Sequence, residues 1–411
     1  MAKRYPWAIV AAAIFAVAWG GNEFTPLLTM YRLDHGFSDF VVDVLLFAYV
    51  LGIVPGLLLG GPLSDRFGRR VLMLPAPLFA IAGSAVLAAG SSQAAVLFGG
   101  RVLSGISIGL AMAVGGSWLT ELSRAPYDPK AYASAGPRRV AMSLTAGFAL
   151  GAGAAGALAQ WGPWPSVTAY LVHIAITAAA FIPLLAVPET RSGIPDHIRK
   201  APLHADLKIP SAGHRRFWLL IVPLAPWVFG AAASAYAVLP NLMTEHSAGA
   251  PIAFAALLCL LALGCGFGIQ ALGRRIDRPG TARGVITAFI LLVIAMPFAA
   301  LAAATLSVPL VILAACLLGA GYGMALVSGL LEVQRIATPD DLAGLSAVFY
   351  SLSYLGFAVP AMMALGVQVV SYPVMFLGGG VIAALCLCLA VFGSRIAPAQ
   401  SLKASRVKAS T

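Results

Sequence analysis

Between Tyr5 and Met30 the chain carries one carboxylate, Glu23, inside the apolar stretch WGGNEFTPLL. A charged side chain at the centre of a bilayer costs roughly 2.5–3.5 kcal/mol on insertion scales, so its presence asks for a use. A carboxylate in such a place can bind a cation or take up a proton. Arg101 is the single basic residue inside another apolar run, VLFGGRVLSGISIG. A guanidinium there can answer the carboxylate. His173, in a third run, reads as a buried structural imidazole, with a proton relay as the alternative. No spacing of Cys and His fits a zinc, haem or iron–sulfur site, so neither metal nor cofactor is expected. Paired carboxylates, a His cluster, a nucleophile elbow and a phosphate-binding loop are all missing from the sequence, which argues against an enzyme and against ATP as the energy source.

These side chains need elements that bury them. Hydrophobic residues make up 60% of the 411-residue chain and charged residues only 10%. Soluble domains carry about 25% charged residues, so a soluble globular protein is excluded. At about 20 residues per membrane helix, the length allows roughly a dozen spans. Apolar runs broken by charged or Gly/Pro segments place them at 6–31, 41–63, 70–90, 94–119, 138–160 and 167–188, then at 216–240, 251–272, 282–303, 307–331, 342–368 and 372–394. The expected fold class is an all-α integral membrane protein of twelve transmembrane helices. Lys3 and Arg4 precede a span long enough to cross the bilayer, so no cleaved signal peptide is expected. The five cysteines all fall in apolar segments and read as small core side chains without disulfides.

With the N-terminus inside, 24 of the 26 Lys and Arg fall in cytoplasmic segments. The exceptions are Arg101 and Arg32, the latter expected to be solvated in an outer loop. This is the bias of the positive-inside rule, and it puts both termini of a multi-pass inner-membrane protein in the cytoplasm. The net charge of +11 is then a topology signal and a contact with anionic lipid, not a nucleic-acid patch. The Pro-containing stretch 191–215 reads as a linker between an N-terminal bundle, 1–190, and a C-terminal bundle, 216–396, followed by a tail at 397–411. The chain reads as a monomer whose partners are the bilayer, a small-molecule substrate and protons.

The two sets of six spans share landmarks. GGPLSDRFGRR ends span 2, and GIQALGRRIDR ends span 8. LSGISIG in span 4 parallels LLGAGYG in span 10, and Glu121 and Glu332 end those two spans. Landmarks in the same order argue for internal repeats, which in transporters place the substrate site at the midplane between them. GGPLSDRFGRR resembles the signature of the major facilitator superfamily: Gly61, Leu63, Ser64, Asp65, Arg66, Gly68, Arg69 and Arg70 fill its positions. Within that superfamily, GGNEFTP resembles the first-helix motif of the twelve-helix drug/proton antiporters, with Gly20 and Pro26 in place and Thr29 where a second Pro is usual. The antiporter motif of helix 5 is altered, because Ala152 replaces its Pro in LGAGAAG.

Gly61 is expected to allow close helix packing and Gly68 a tight turn. Gly52, Gly56 and Gly60, four residues apart, form a stripe that lets span 2 approach a neighbour. Asp65 needs a positive partner, either Arg69 one turn away or the N-terminus of span 11, where TPDD from Thr338 reads as a cap. The resemblance implies that Asp65 is a cytoplasmic latch, that Arg66, Arg69, Arg70, Glu121 and Arg124 belong to that cluster, and that Arg101 takes part in proton coupling.

At 1.5 Å per residue, Glu23 lies about 26 Å above Pro6 in a span of about 38 Å, and Arg101 lies about 10 Å below the outer end of span 4. Similar depths allow a Glu23–Arg101 pair, and protonation of the carboxylate would then follow the opening of the cavity. Cavity candidates are Asn22 beside Glu23, Trp227, Tyr236 and Asn241 on span 7, Tyr322 on span 10, and Tyr350 and Tyr354 on span 11. With one acid and one base within the spans, the cavity suits a lipophilic or weakly polar solute. The expected function is proton-coupled efflux by alternating access. The alternative is an importer or facilitator of sugars or organic acids with the same fold.

Overall fold

The computed structural model describes residues 5–132, 135–191, 208–278, 280–338 and 341–396. Every regular element among them is helical. Among the described residues, eleven helices are long and apolar enough to cross a membrane. They are α1 (Pro6–His35), α2 (Asp39–Phe67), α3 (Arg69–Ala89), α4 (Ala94–Leu122) and α5 (Ala135–Trp161), then α7 (Phe217–Leu242), α8 (Pro251–Gly273), α9 (Arg283–Thr305), α10 (Val308–Ile336), α11 (Leu342–Gly366) and α12 (Tyr372–Ile396). The sixth expected span is shorter than 167–188. Helix α6 runs Thr168–Leu184, 17 residues, with Pro183 in its last turn. Most of the linker 191–215, the tail 397–411, the terminal residues Lys3 and Arg4, and Pro339 and Asp340 of the TPDD stretch lie outside the described residues.

Contacts divide the chain into two compact units. One comprises Met1–Lys208, Tyr236–Leu260 and Phe357–Leu365, and the other Ile209–Ala235, Leu261–Gly356 and Gly366–Thr411. The first unit thus takes in a segment around the start of α8. Gln160, at the end of α5, accepts the backbone N–H groups of Ile252 (2.9 Å) and Ala253 (3.2 Å), which the first turn of a helix leaves without intrahelical partners.

Glycine lets backbones touch in both units. A methyl group on Gly52 would lie 2.1 Å from Val102 O, and one on Gly105 would lie 2.1 Å from Tyr49 O. Gly56 and Gly109 meet one turn further along. The stripe expected on α2 therefore seats on α4. In the other unit, Gly319 and Gly323 of α10 come as close to the carbonyls of Ala262 and Gly266 on α8. Gly147 and Gly151 bring α5 onto the carbonyls of Phe15 and Trp19 on α1. Gly61 departs from expectation, because a methyl group there would meet nothing within 4 Å.

Two further expectations change. Arg32 is not solvated: it lies in the last turn of α1 and pairs with Asp39 and Asp43 of α2, both at 2.8 Å, tying the two helices together. Thr338 does not cap α11 through its side chain. Its N–H and hydroxyl instead donate to Asp341 Oδ1, both at 2.8 Å, while Ser211 N–H donates to Oδ2 at 2.8 Å. Burial pushes the Asp341 carboxyl up, but these hydrogen bonds outweigh it and hold the group below the usual carboxylate range.

Gly105→Ala should lower the thermal midpoint of the detergent-solubilised protein. The added methyl meets backbone that cannot move aside, a strain of about 1–3 kcal/mol. Gly61→Ala has open space and gains helix propensity of up to about 1 kcal/mol, so its midpoint should hold or rise. Melting curves of the two variants check both signs.

Candidate functional site

Glu23 is fully buried at the middle of α1. Its carboxylate is not answered by Arg101. Ser84 of α3 donates its hydroxyl to Glu23 Oε1 at 2.9 Å, and His173 Nδ1 of α6 lies 3.3 Å from the same oxygen. Ser84 Oγ is also 2.7 Å from His173 Nδ1, and His173 Nε2 donates to the carbonyl of Ala16 at 3.0 Å. Glu23 Oε2 has no hydrogen-bond partner. The expected ion pair is thus replaced by a hydroxyl and an imidazole from two other helices. His173 is buried as expected, and α6 delivers it onto α1.

Local sequence explains why this is possible. Gly20 leaves room for the imidazole, because a methyl group there would lie 2.1 Å from His173 Cε1. Pro26 lies inside α1, where its missing N–H leaves a helical carbonyl without its usual donor. Arg101 is held separately. Its guanidinium carbon lies 4.5 Å from the ring centre of Phe24 and 4.4 Å from that of Tyr49, a cation–π sandwich. Its Nε donates to Leu45 O at 3.3 Å, and its Nη1 is buried without a hydrogen-bond partner. Tyr31 and Tyr170 share a 2.8 Å hydroxyl contact in the same unit. Asn22 donates to Phe148 O (3.2 Å) and Cys259 Sγ (3.4 Å), and accepts from Thr25, so its polar atoms serve packing.

A second cluster closes the ends of α2, α4 and α6. Arg69 reaches Asp65 (2.8 Å) and Glu121 (3.0 Å), and its Nη1 donates to Ser64. Of the two partners expected for Asp65, Arg69 is in contact with it, joined by Arg191 at 3.1 Å. Glu121 joins the cluster as expected, while Arg124 is exposed outside it. Arg66 is buried rather than a simple surface anchor. Glu189 is the residue that sequence reasoning missed. Its carboxylate accepts the backbone N–H of Arg69 (3.0 Å) and of Arg70 (2.8 Å), capping the start of α3. Gly68 makes this possible with φ +101°, and a methyl group there would lie 2.6 Å from Glu189 Oε2. The sequence carried little signal for it, because Arg191 is the only Lys or Arg within nine positions of Glu189.

In the second unit, Arg216 and Glu332 form a bidentate pair at 2.8–3.0 Å, each only 1% exposed. Arg335 links Glu332 to Asp277. Two of the aromatic candidates, Tyr322 and Tyr354, gather around a residue the sequence reading did not name, Phe229. Tyr354 stacks on it at 4.3 Å, Tyr322 lies 6.0 Å away, and Tyr350 lies beside Phe349 on the same helix as Tyr354. Trp227 lies instead against Cys386 of α12. Tyr236 belongs to the first unit, 6.5 Å from Phe357, and Asn241 is half-buried near the end of α7.

Similarity to known proteins agrees with this architecture. A methylenomycin A resistance protein of Bacillus subtilis is 32% identical over 221 residues, 51% of this chain and 44% of the relative. A 4-hydroxybenzoate transporter of Pseudomonas aeruginosa is 25% identical over 228 residues, 54% of this chain and 46% of the relative. An arabinose–proton symporter of Bacillus subtilis is 36% identical over 88 residues, 21% of this chain and 18% of the relative. The matches thus span less than half the length of these relatives. Among solved structures, the POT family transporter PepTSo superposes with a TM-score of 0.74 at 14% identity, covering 96% of this chain and 98% of that one. The human organic anion transporter MFSD10 gives 0.66 at 19% identity, with 95% and 100% covered. The profile of the Major Facilitator Superfamily matches residues 8–361. The chain belongs to the Major Facilitator Superfamily, a family of membrane transporters and not of enzymes.

Proposed function

We propose that the protein is a secondary active transporter that exports a small lipophilic or weakly polar solute across the cytoplasmic membrane by alternating access, driven by protons. The observation that carries this reading is Glu23: a fully buried carboxylate, hydrogen-bonded on one oxygen and unpartnered on the other. Such a group is costly unless its charge changes during the cycle. The methylenomycin A resistance protein, similar over half of the chain, supports export. The arabinose–proton symporter and the 4-hydroxybenzoate transporter favour the second reading, an importer or facilitator of sugars or organic acids. The reading includes twelve spans in two six-helix repeats, both termini in the cytoplasm, and a monomer in lipid. Asp65, Arg69, Glu121 and Glu189 then form the cytoplasmic gate, and the aromatic residues around Phe229 contribute an apolar wall.

Glu23→Gln mimics the protonated state. In proteoliposomes with an imposed pH gradient it should still exchange a neutral lipophilic compound but should not accumulate it, and its rate should no longer depend on pH. A cationic compound assayed in parallel separates coupling from direct binding of charge. Uphill transport of both compounds at the wild-type level would remove Glu23 from the mechanism.

Asp65→Asn should leave the melting temperature nearly unchanged, because a pair this exposed contributes only about 0–1 kcal/mol. Transport should nevertheless fall several-fold, with introduced cysteines in the cavity labelled faster from the cytoplasmic side. Unchanged labelling together with unchanged transport would rule out the latch.

A further inference from the structure

Resting on the reading of Glu23 as the proton-coupling group, we infer that the coupling proton is not held by Glu23 alone but by a three-residue relay, Glu23–Ser84–His173, with Ser84 as the bridge. The inference follows from counting protons. Ala16 O can only accept, so His173 Nε2, 3.0 Å away, carries a proton. Ser84 Oγ lies 2.9 Å from Glu23 Oε1 and 2.7 Å from His173 Nδ1. A serine hydroxyl has one proton, yet both contacts are short enough to be hydrogen bonds. One more proton must therefore sit in the triad.

That proton has two homes. It can reside on Nδ1, giving an imidazolium and a carboxylate, with Nδ1–H donating to Ser84 and Ser84 donating to Glu23. It can also reside on Glu23 Oε1, giving a neutral acid that donates to Ser84, which then donates to a neutral imidazole. The two forms interconvert when the Nδ1–H bond breaks as a proton joins Oγ, and the Oγ–H bond breaks as its proton joins Oε1. Atoms and charge balance, and the triad is neutral in both forms. Removing the shared proton leaves a single hydroxyl proton for two acceptors 3.3 Å apart and a net negative charge in a site that is 0–1% exposed. The triad is thus a container for one proton. An imidazole nitrogen and one hydroxyl make a poor cage for a hard cation such as Na⁺, which seeks a shell of oxygens.

The surroundings fit this. The other titratable groups nearby are Arg101 on α4, Tyr49 on α2, Tyr31 on α1 and Tyr170 on α6. Cys259 on α8 touches the neighbouring Asn22. The charged residues of α3 and α5 are arginines at their far ends, Arg69, Arg70, Arg138 and Arg139. Among the described residues, Arg101 is the fixed cation of these helices that lies close by, held on Phe24, Tyr49 and Leu45 O and acting on the triad only through its field. Ser84 and His173 are proton-handling residues in this scheme, and Gly20 is a positioning residue that gives the ring its place.

Infrared difference spectra of the full-length protein with isotope-labelled histidine, recorded across a pH titration in detergent, test the relay without any substrate. The carboxylic C=O band that Glu23→Gln removes and the imidazole band that His173→Gln removes should titrate with one midpoint in the wild type. In Ser84→Ala the two midpoints should separate by more than about one pH unit, since coupled groups lose their shared macroscopic value when the coupling is cut. Independent midpoints in the wild type, or a His173 band that does not change with pH, would overturn the relay; the wild-type measurement suffices even if a variant fails to fold. Failure of the underlying coupling reading has a different signature: shared midpoints here, with full uphill transport by Glu23→Gln in proteoliposomes.

Discussion

A carboxylate shut off from water must be answered by its neighbours, and in this chain that demand fixes where three helices meet. Glu23 on α1 is answered by Ser84 on α3 and His173 on α6. Each answer has a steric condition. The imidazole reaches its place only over Gly20, and α1 is in turn pressed against α5 through Gly147 and Gly151. The bilayer supplies no hydrogen bonds, so every such group is either satisfied by protein or becomes a site of change. Glu23 Oε2 and Arg101 Nη1 are among the buried side-chain atoms left over at this junction, one acceptor and one donor.

The charged ends of the helices follow a related logic with different partners. Arg69 gathers Asp65, Glu121 and Ser64, and the backbone N–H groups beside it are taken by Glu189. In the second unit Glu332 holds Arg216 and Arg335. The first cluster lies partly open to solvent and can be remade cheaply. The Arg216–Glu332 pair is buried, and breaking one partner of such a pair costs about 3–5 kcal/mol. A cluster of the first kind suits a gate and one of the second kind suits a fixed brace.

What could be read from the sequence was what depends on short spacing. The four-residue glycine stripe of α2, the Asp65–Arg69 turn and the Glu121 contact all follow from local periodicity or from a motif. The partner of Glu23 could not be read, because Ser84 and His173 lie 61 and 150 positions further along and a serine in an apolar run carries no signal of its own. Similar depth suggested Arg101, but depth is one coordinate of three, and Phe24 and Tyr49 hold the guanidinium in place. Arg32 was misjudged for the same reason. It sits near a loop, yet Asp39 and Asp43 are close enough in the next helix to bury it. Gly61 occupies a motif position whose packing use is not exercised here.

The length of α6 has its own consequence. Seventeen residues at 1.5 Å each make about 26 Å, less than the roughly 30 Å of a typical hydrocarbon layer. A segment that short is matched by local thinning of the bilayer or by flanking side chains that reach for the interface. Trp161 and Trp164, each 71% exposed just before α6, are residues of the kind that settle at headgroup level. His173 rides on this helix, so the element too short to match a full hydrocarbon layer is the one that carries the imidazole to Glu23.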